Sequence, residues 1–198
     1  MPTFPDPADR NPLADDCRRC AELCAARTRI SWGVGPLDAS LVVVGEAPAA
    51  GDPTAETWQG GNRTGMAYTS RASGRKIRGM VADLGYADDC YYTNAVKCHP
   101  PDNRDPTAEE RTNCRPYLLR EIEQVAPDAI LTTGKHATAS VFAADGRDLD
   151  GFLDTVLTPV ETAFGTVIPL LHPSYQEVWL ARLGYTRESY LDDLAELL

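Results

Sequence analysis

Short apolar runs bounded by turn residues alternate with helical patterns along this chain. Four runs have the length and β-branched content of buried strands: Leu41–Val44, Tyr91–Val96, Ala129–Thr132 and Thr166–Leu171. Helical patterns occur at Arg75–Leu84, at Thr107–Gln124, from about Lys135 and in the tail from Tyr185. The longest opens with Pro106 and a capping box formed by Thr107 and Glu110. This alternation predicts an α/β fold with three layers, α/β/α, around a central, mainly parallel four-stranded sheet.

The length and composition favour one compact domain. The chain has 198 residues, 43% of them apolar, with no internal repeat and no linker. We therefore expect a single domain over residues 1–198, with a flexible, proline- and acid-rich segment at 1–14. No apolar run reaches 18 residues, and the first residues lack the basic-then-apolar pattern of a signal peptide. These features predict a soluble, cytoplasmic protein with no membrane association.

The charge of the chain argues at first against nucleic acid as a partner. Nineteen basic and 29 acidic residues give a net charge of −10, which repels phosphate backbones. The acids are spread along the chain and only three basic residues are lysines, which predicts a halophilic protein. Residues 57–82 are the exception, with five basic and no acidic side chains. This segment is either a solvated helix start or a surface that faces phosphates.

Polar segments follow all four predicted strands. They are Gly45–Pro48, Thr93–Asn94, Thr133–Lys135 and His172–Ser174. Each has an ordinary explanation by itself, such as a turn cap for Asn94 or a surface position for His172. The carboxyl ends of parallel strands meet at one edge of the sheet, where ligands bind. The sequence therefore predicts one crevice lined by all four segments.

Six cysteines are too few for a disulfide scaffold in a chain of this length. Cys17 and Cys20 form a C-x-x-C pair, and Cys98 and Cys114 form a second pair separated by 15 residues. Four thiolates can hold a tetrahedral zinc ion or a [4Fe–4S] cluster, and a redox dithiol is a third interpretation. Cys90, in an apolar strand, fits a buried core residue.

Four segments carry a resemblance to a known family. They are Cys17-x-x-Cys20, VVVGEAPAAGD at Val42–Asp52, YTNAVKCHPPDNRDPTAEERTNCRPYL at Tyr92–Leu118 and LHPSY at Leu171–Tyr175. In this order they resemble the family 4 uracil-DNA glycosylases, the iron–sulfur branch of that superfamily. The resemblance implies a [4Fe–4S] cluster, favoured over zinc, held by Cys17, Cys20, Cys98 and Cys114, which clamps residues 17–20 onto residues 98–114. Cys24 and Cys90 lie outside the family's ligand set.

The resemblance also implies the reaction. Such an enzyme flips uracil out of DNA and hydrolyses its N-glycosidic bond, leaving an abasic site for base excision repair. Asn94 resembles the asparagine that reads uracil, and Tyr68 lies where the family has a phenylalanine that stacks on the base. Gly45 and Ala47 belong to the motif that lines the pocket. The pocket segment departs from the family pattern at Ala67, Ser70 and Ser73, and residues 58–64 lengthen it.

Catalysis must stabilise negative charge on the departing uracil and positive charge on the sugar. His172 resembles the family's motif histidine, which favours uracil leaving as an anion. Glu46, Asp52 and Glu56 are candidates for the carboxylate that positions the attacking water. The family has an acid at the position of Asp52, so we assign the water to Asp52 and expect Glu46 to act mainly through its backbone.

The resemblance implies that the basic segment binds the DNA backbone, through Arg71, Arg75, Lys76 and Arg78. Ser174 and Tyr175 resemble the loop that wedges into the minor groove. We expect a monomer that acts on double- or single-stranded uracil-containing DNA without a nucleotide cofactor. The alternatives are a superfamily member with another base preference and a non-catalytic metal or iron–sulfur protein.

Overall fold

The computed structural model describes residues 2–198. Within this range, five strands form one sheet: β1 (Leu41–Gly45), β2 (Cys90–Asn94), β3 (Ala129–Thr133), β4 (Val160–Thr162) and β5 (Gly165–Leu170). Their order is β2-β1-β3-β5-β4, and all neighbours are parallel except β4 and β5. The predicted mainly parallel α/β sheet is confirmed, but the strand number is wrong. The additional strand β4 has three residues and folds back on β5 as a hairpin, too short to give an alternating pattern.

Within the part of the chain that the structure describes, eight α-helices accompany the sheet. They are α1 (Ala21–Ala26), α2 (Gly61–Thr64), α3 (Ser73–Asp83), α4 (Ala108–Val125), α5 (Lys135–Ala144), α6 (Phe152–Thr155), α7 (Gln176–Arg182) and α8 (Arg187–Glu196). The capping box of α4 is present, with Thr107 N donating to Glu110 Oε2 and Glu110 N donating to Thr107 Oγ1. The four predicted helices correspond to α3, α4, α5 and α8.

Alternating strand residues separate two hydrophobic layers, as the pleat requires. Val43, Leu131 and Ile168 face the layer that contains α3, α7 and α8. Val42, Ile130 and Val167 face the opposite layer, formed by α4 and α5. Helices therefore cover both faces of the sheet, which leaves the strand ends as the places where polar groups meet a ligand.

A third, smaller cluster lies beyond the end of β2. It joins Leu23 of α1 to Ile30, Trp32 and Val96, and it includes the cysteines at positions 17, 20, 98 and 114. The preceding segment contacts the domain through Arg10 Nε, 2.8 Å from Gly65 O. Flexibility of residues 1–14 stays a prediction, and Met1 lies outside the described residues. Within residues 2–198, no helix is long and apolar enough to span a membrane.

Candidate functional site

A cavity lies at the carboxyl edge of the sheet, where the sequence predicts the crevice. All four strand ends contribute to its wall, together with the loop that leads into α3. A larger cleft of about 1010 Å³ shares one side of this wall. The residues that line the cavity are Gly45, Glu46, Ala47, Pro48, Ala49, Gly61, Tyr68, Thr69, Ser70, Ser73, Asn94, Thr133, His172 and Pro173.

Asn94 is the last residue of β2 and lies beside the last residue of β1, Gly45, in the parallel register. The residue is 4% exposed. The amide oxygen of Asn94 and the hydroxyl of Tyr68 occupy the space that a β-carbon at position 45 would need. Glycine at this position therefore lets the amide and the phenol approach the floor of the cavity.

Tyr68 is held in place from both ends. Its hydroxyl lies 2.6 Å from Thr133 Oγ1, and its ring meets Tyr92 edge-on with centroids 5.9 Å apart. The backbone has φ of 52°, in the left-handed region. Arg78 stabilises this conformation because its Nε donates to Tyr68 O at 3.0 Å. An aromatic ring fixed in this way offers the cavity a rigid surface.

His172 follows β5 and lines both the cavity and the cleft. Burial lowers the pKa of His172 below its ordinary 6.5, and the carboxylate of Asp105 opposes part of that effect. The backbone N–H of Ser174 donates to His172 Nδ1 at 3.2 Å. A neutral imidazole that accepts at Nδ1 carries its proton on Nε2. His172 can therefore donate a hydrogen bond from Nε2.

Glu46 lies at the boundary between the cavity and the cleft, half-buried. Burial is the largest cause of a raised pKa at Glu46; His136 and Arg111 lower that pKa and Asp105 raises it. Ligand-type atoms of Glu46, Asp105 and His136 lie within 4.8 Å of one another, and His136 Nε2 is 3.2 Å from Asp105 Oδ2. Glu46 thus lies in a cluster of ionisable side chains that the sequence analysis did not find.

Asp52 is half-exposed in the loop before α2. Its Oδ1 accepts from Thr54 N at 2.8 Å and from Thr54 Oγ1 at 2.6 Å. These two bonds are the main reason that the pKa of Asp52 is lowered. Among residues 2–198, the wall of the cavity includes Glu46 but neither Asp52 nor Glu56. Glu46 and Asp52 therefore do not line the cavity together.

The predicted DNA-binding residues divide into two groups. Arg71 is exposed, and Arg75 lies with its guanidinium carbon 5.7 Å from the ring centroid of Trp58. Lys76 reaches the loop after β5, where Nζ donates to Pro173 O at 3.1 Å. Arg78 instead turns inward, 3.8 Å from the ring centroid of Tyr92. Its contacts with the backbone of the Tyr68 segment explain why this basic residue is not displayed on the surface.

The rim beside His172 is exposed. Ser174 and Tyr175 are both exposed, Tyr175 to 62%. The rings of His172 and Tyr175 have centroids 5.8 Å apart. Lys76 Nζ also lies 3.3 Å from Glu177, at the start of α7. The basic helix α3 and this rim therefore flank the same opening.

The four predicted cysteine ligands gather in the third hydrophobic cluster, and all six cysteines are free thiols. Three of the sulfurs accept from nitrogen donors: Cys98 from Arg27 at 3.1 Å, Cys114 from Lys97 N at 3.2 Å and Cys20 from Asn113 at 3.6 Å. Burial raises the pKa of Cys114 to about 12 and also raises that of Cys98. Thiolates at these positions need the compensation that a bound metal centre and N–H donors supply. The donor set therefore fits a metal centre.

The spacing of the sulfurs bears on which centre fits. Within residues 2–198, no three cysteine sulfurs lie within 4.8 Å of one another. Tetrahedral zinc holds four sulfurs at 2.3 Å and thus about 3.8 Å apart. Within residues 2–198, no three of the cysteine sulfurs are thus as close together as tetrahedral zinc would hold them. Cys90 is a core residue of β2, where burial raises its pKa to about 12, and the Cys24 thiol donates to the carbonyl of Cys17 at 3.9 Å.

Comparison with known proteins identifies the family. The sequence pattern of the Uracil DNA glycosylase superfamily matches residues 32–195. The chain belongs to this superfamily. It is 36% identical over 161 residues to the type-4 uracil-DNA glycosylase of Thermotoga maritima, covering 80% of this chain and 77% of that protein. The type-5 uracil-DNA glycosylase of Pyrobaculum aerophilum is 34% identical over 212 residues, covering 92% of this chain and 86% of that protein.

A third relative, the type-4 uracil-DNA glycosylase of Archaeoglobus fulgidus, is 38% identical over 128 residues. That match covers 64% of this chain and 58% of the relative. The predicted resemblance to family 4 of the superfamily is therefore confirmed. Two features of the site escaped the sequence analysis, namely the contact between the hydroxyls of Thr133 and Tyr68 in the cavity and the pair of Asp105 and His136 in the cleft. Both depend on contacts between residues more than 30 positions apart.

Proposed function

We propose that this superfamily member removes uracil from DNA by hydrolysis of the N-glycosidic bond and leaves an abasic site. The observation that carries the proposal is the cavity at the strand ends, where Asn94, Tyr68 and His172 share one wall. These side chains supply an amide, an aromatic ring and an imidazole N–H. An extruded base is read and held by groups of these kinds.

Asn94 reads the base in this proposal. Uracil presents an N–H flanked by two carbonyl oxygens, and a side-chain amide both donates and accepts. The burial of Asn94 makes the reading strict, because a base without matching groups leaves the amide unpaired. Tyr68 provides the stacking surface, while Gly45 and Ala47 form the adjacent wall.

His172 stabilises the leaving group. The neutral imidazole donates from Nε2 toward uracil O2, where negative charge grows as the bond to the sugar breaks. Support for this protonation state comes from the lowered pKa of His172 and from the Ser174 N–H at Nδ1. A fixed donor of this kind needs no rearrangement during the reaction.

A carboxylate positions the water and offsets the positive charge of the sugar. We propose Glu46 for this role, because it is half-buried in the wall that the cavity and the cleft share. Asp52, assigned from the sequence, stays a prediction as the alternative. Its hydrogen bonds to Thr54 favour a role in shaping the loop.

DNA binds across the opening flanked by α3 and the rim after β5. Arg71, Arg75 and Lys76 contact phosphates, and Ser174 and Tyr175 enter the groove beside the flipped base. Arg78 serves the site indirectly by holding the backbone of Tyr68. Phosphate contacts fix the register of the protein on DNA without reading sequence.

The cysteine site holds a [4Fe–4S] cluster in this proposal, through Cys17, Cys20, Cys98 and Cys114. Its support is the set of N–H donors to sulfur and the wide sulfur spacing. When bound, the cluster supplies structural cross-linking of the N-terminal segment to the loop before α4. No step of base removal passes through it.

The test is a cleavage assay on matched oligonucleotides that carry U·G, U·A, single-stranded U, T·G or hypoxanthine. Abasic sites are revealed with alkali, at low and at high salt, and iron is quantified in the same preparation. We expect removal of uracil alone, with loss of at least 100-fold in Asn94→Ala and His172→Ala. An iron-replete protein that removes no uracil would reject the proposal, and removal of another base would assign a different substrate.

A further inference from the structure

A buried ion pair lies directly behind the base-reading asparagine. Lys97 and Glu121 have side chains that are 1% and 0% exposed, and Lys97 Nζ is 2.5 Å from Glu121 Oε2. Lys97 lies three residues after Asn94, the last residue of β2, in the segment that continues through Cys98 to His99. Glu121 belongs to α4, which packs against one face of the sheet.

All three protons of the Lys97 ammonium are used. Besides Glu121, Nζ donates to Thr93 Oγ1 and to the backbone carbonyl of Asn94, each at 2.6 Å. Glu121 is equally engaged, because Oε1 accepts from Gly33 N at 2.9 Å and Oε2 accepts from Thr93 Oγ1 at 2.5 Å. A network this complete fixes the orientation of each member.

Stability alone does not account for such a pair. Two opposite charges buried in a protein core are commonly replaced by apolar side chains of similar volume with no loss of stability. What the apolar replacement cannot supply is a donor to the Asn94 carbonyl. That carbonyl lies where the chain leaves β2, so a donor to it helps to hold the backbone from which the Asn94 side chain projects. On the other side, Ala95 N donates to Gly45 O at 2.7 Å.

The geometry points to Lys97 as a positioning residue for Asn94: with Glu121, it locks the Asn94 peptide and thereby aims the amide into the cavity. This inference rests on the proposed role of Asn94 in reading uracil. Lys97 does not touch the base, so it acts only through Asn94. Displacement of a substrate-positioning group by about 1 Å lowers rates by about 100-fold.

The test needs a variant that removes the pair without leaving a buried charge. Lys97→Met leaves the Glu121 carboxylate unpaired and can fail to fold, so the informative variant is Lys97→Met/Glu121→Leu. Arg187→Met/Asp83→Leu is the matched control, since it removes an exposed ion pair of 3.3 Å between α8 and α3. All proteins are prepared with and without Asn94→Ala.

We measure single-turnover uracil removal, the DNA concentration that gives half-maximal rate, and iron per chain. The expected result for Lys97→Met/Glu121→Leu is a rate lowered about 10- to 100-fold, with wild-type iron content and unchanged DNA concentration dependence. In the Asn94→Ala background the same change should have no further effect. The control should match the wild type.

Three results would overturn the inference. The first is a wild-type rate of uracil removal in the folded Lys97→Met/Glu121→Leu variant. The second is a further loss of rate in the Asn94→Ala background that is as large as in the wild-type background. The third is a loss of iron that parallels the loss of rate. The last would assign the effect to the cysteine site, because Lys97 N donates to Cys114. If the wild-type protein itself removed no uracil, the proposed function would fail instead, and the two failures are thus distinguishable.

Discussion

The site predicts that Glu46, rather than Asp52, is the carboxylate that positions the attacking water. Glu46→Gln keeps the size of the side chain but removes its charge and its ability to accept a proton. Asp52→Asn makes the same chemical change in the neighbouring loop. Because Asn retains Oδ1, both bonds from Thr54 can persist and the loop should keep its shape. The two substitutions are therefore matched in chemistry and differ in position.

The expected magnitudes follow from those positions. A group that positions or deprotonates the reacting water contributes about 10²- to 10⁴-fold to the rate, or about 3 to 5 kcal/mol of transition-state stabilisation. Glu46 lies in the wall of the cavity, so Glu46→Gln should lose this amount. Among the residues that the structure describes, Asp52 is not one of those that line the cavity. We expect Asp52→Asn to stay within about threefold of the wild type, as surface changes usually do.

Single-turnover cleavage of a U·G oligonucleotide, with enzyme in excess, isolates the chemical step from product release. DNA affinity is measured separately with an abasic-site oligonucleotide, so that a binding defect is not mistaken for a catalytic one. A loss above tenfold in Asp52→Asn beside near-wild-type Glu46→Gln would refute the reasoning. That outcome would restore the role assigned from the sequence.

Three further predictions concern pH, stability and DNA binding. Asp105 raises the pKa of both Glu46 and His172, and the proposed mechanism needs both groups deprotonated. Asp105→Asn should therefore move the acid limb of the pH–rate profile to lower pH. A shift of that limb to higher pH would contradict this prediction. Tyr68→Phe loses the hydrogen bond to Thr133 but keeps the ring, so calorimetry should show a melting temperature about 2–4 °C lower, for a loss of about 1 kcal/mol, while the rate of uracil removal stays within about threefold of the wild type. Tyr68→Phe/Thr133→Val removes both hydroxyls and should recover stability. A larger loss of stability in this double variant would count against the assignment. Arg71→Gln should weaken the binding of all DNA sequences alike and reduce the slope of log affinity against log salt concentration by about 1, as measured by fluorescence anisotropy. An unchanged slope would show that Arg71 does not contact DNA phosphates.

The crevice could be predicted from sequence because it depends on topology. Parallel strands place their carboxyl ends together, so Asn94 and His172 could be brought to one edge before any contact was known. Arg78 could not be placed in this way. Helix α3 buries Ile77 and Val81, and a basic residue between them lies at the border of the buried face, where its direction depends on tertiary contacts. The carbonyl of Tyr68 determines that direction.

Contacts between distant loops were equally beyond sequence patterns. Asp105 and His136 are 31 positions apart, and each has an ordinary local explanation. Strand β4 was missed for a different reason. Its hairpin turn at Ala163 and Phe164 lacks the Asn-Gly or Asp-Gly signal of a two-residue turn, and three residues are too few for a periodic pattern.

One short segment links the cysteine site to the cavity and explains why both lie at the same end of the molecule. After β2 the chain runs beside the loop that follows β1, with Val96 N donating to Glu46 O at 2.9 Å and His99 Nδ1 lying 2.9 Å from Pro48 O. Cys98 lies between these two contacts and belongs to the cysteine site. Whatever fixes Cys98 therefore also fixes the backbone of the cavity wall at Glu46 and Pro48. A metal centre that joins residues 17–20 to this segment can therefore affect base removal without taking part in the chemistry. It does so by fixing the backbone of the cavity wall that carries Glu46.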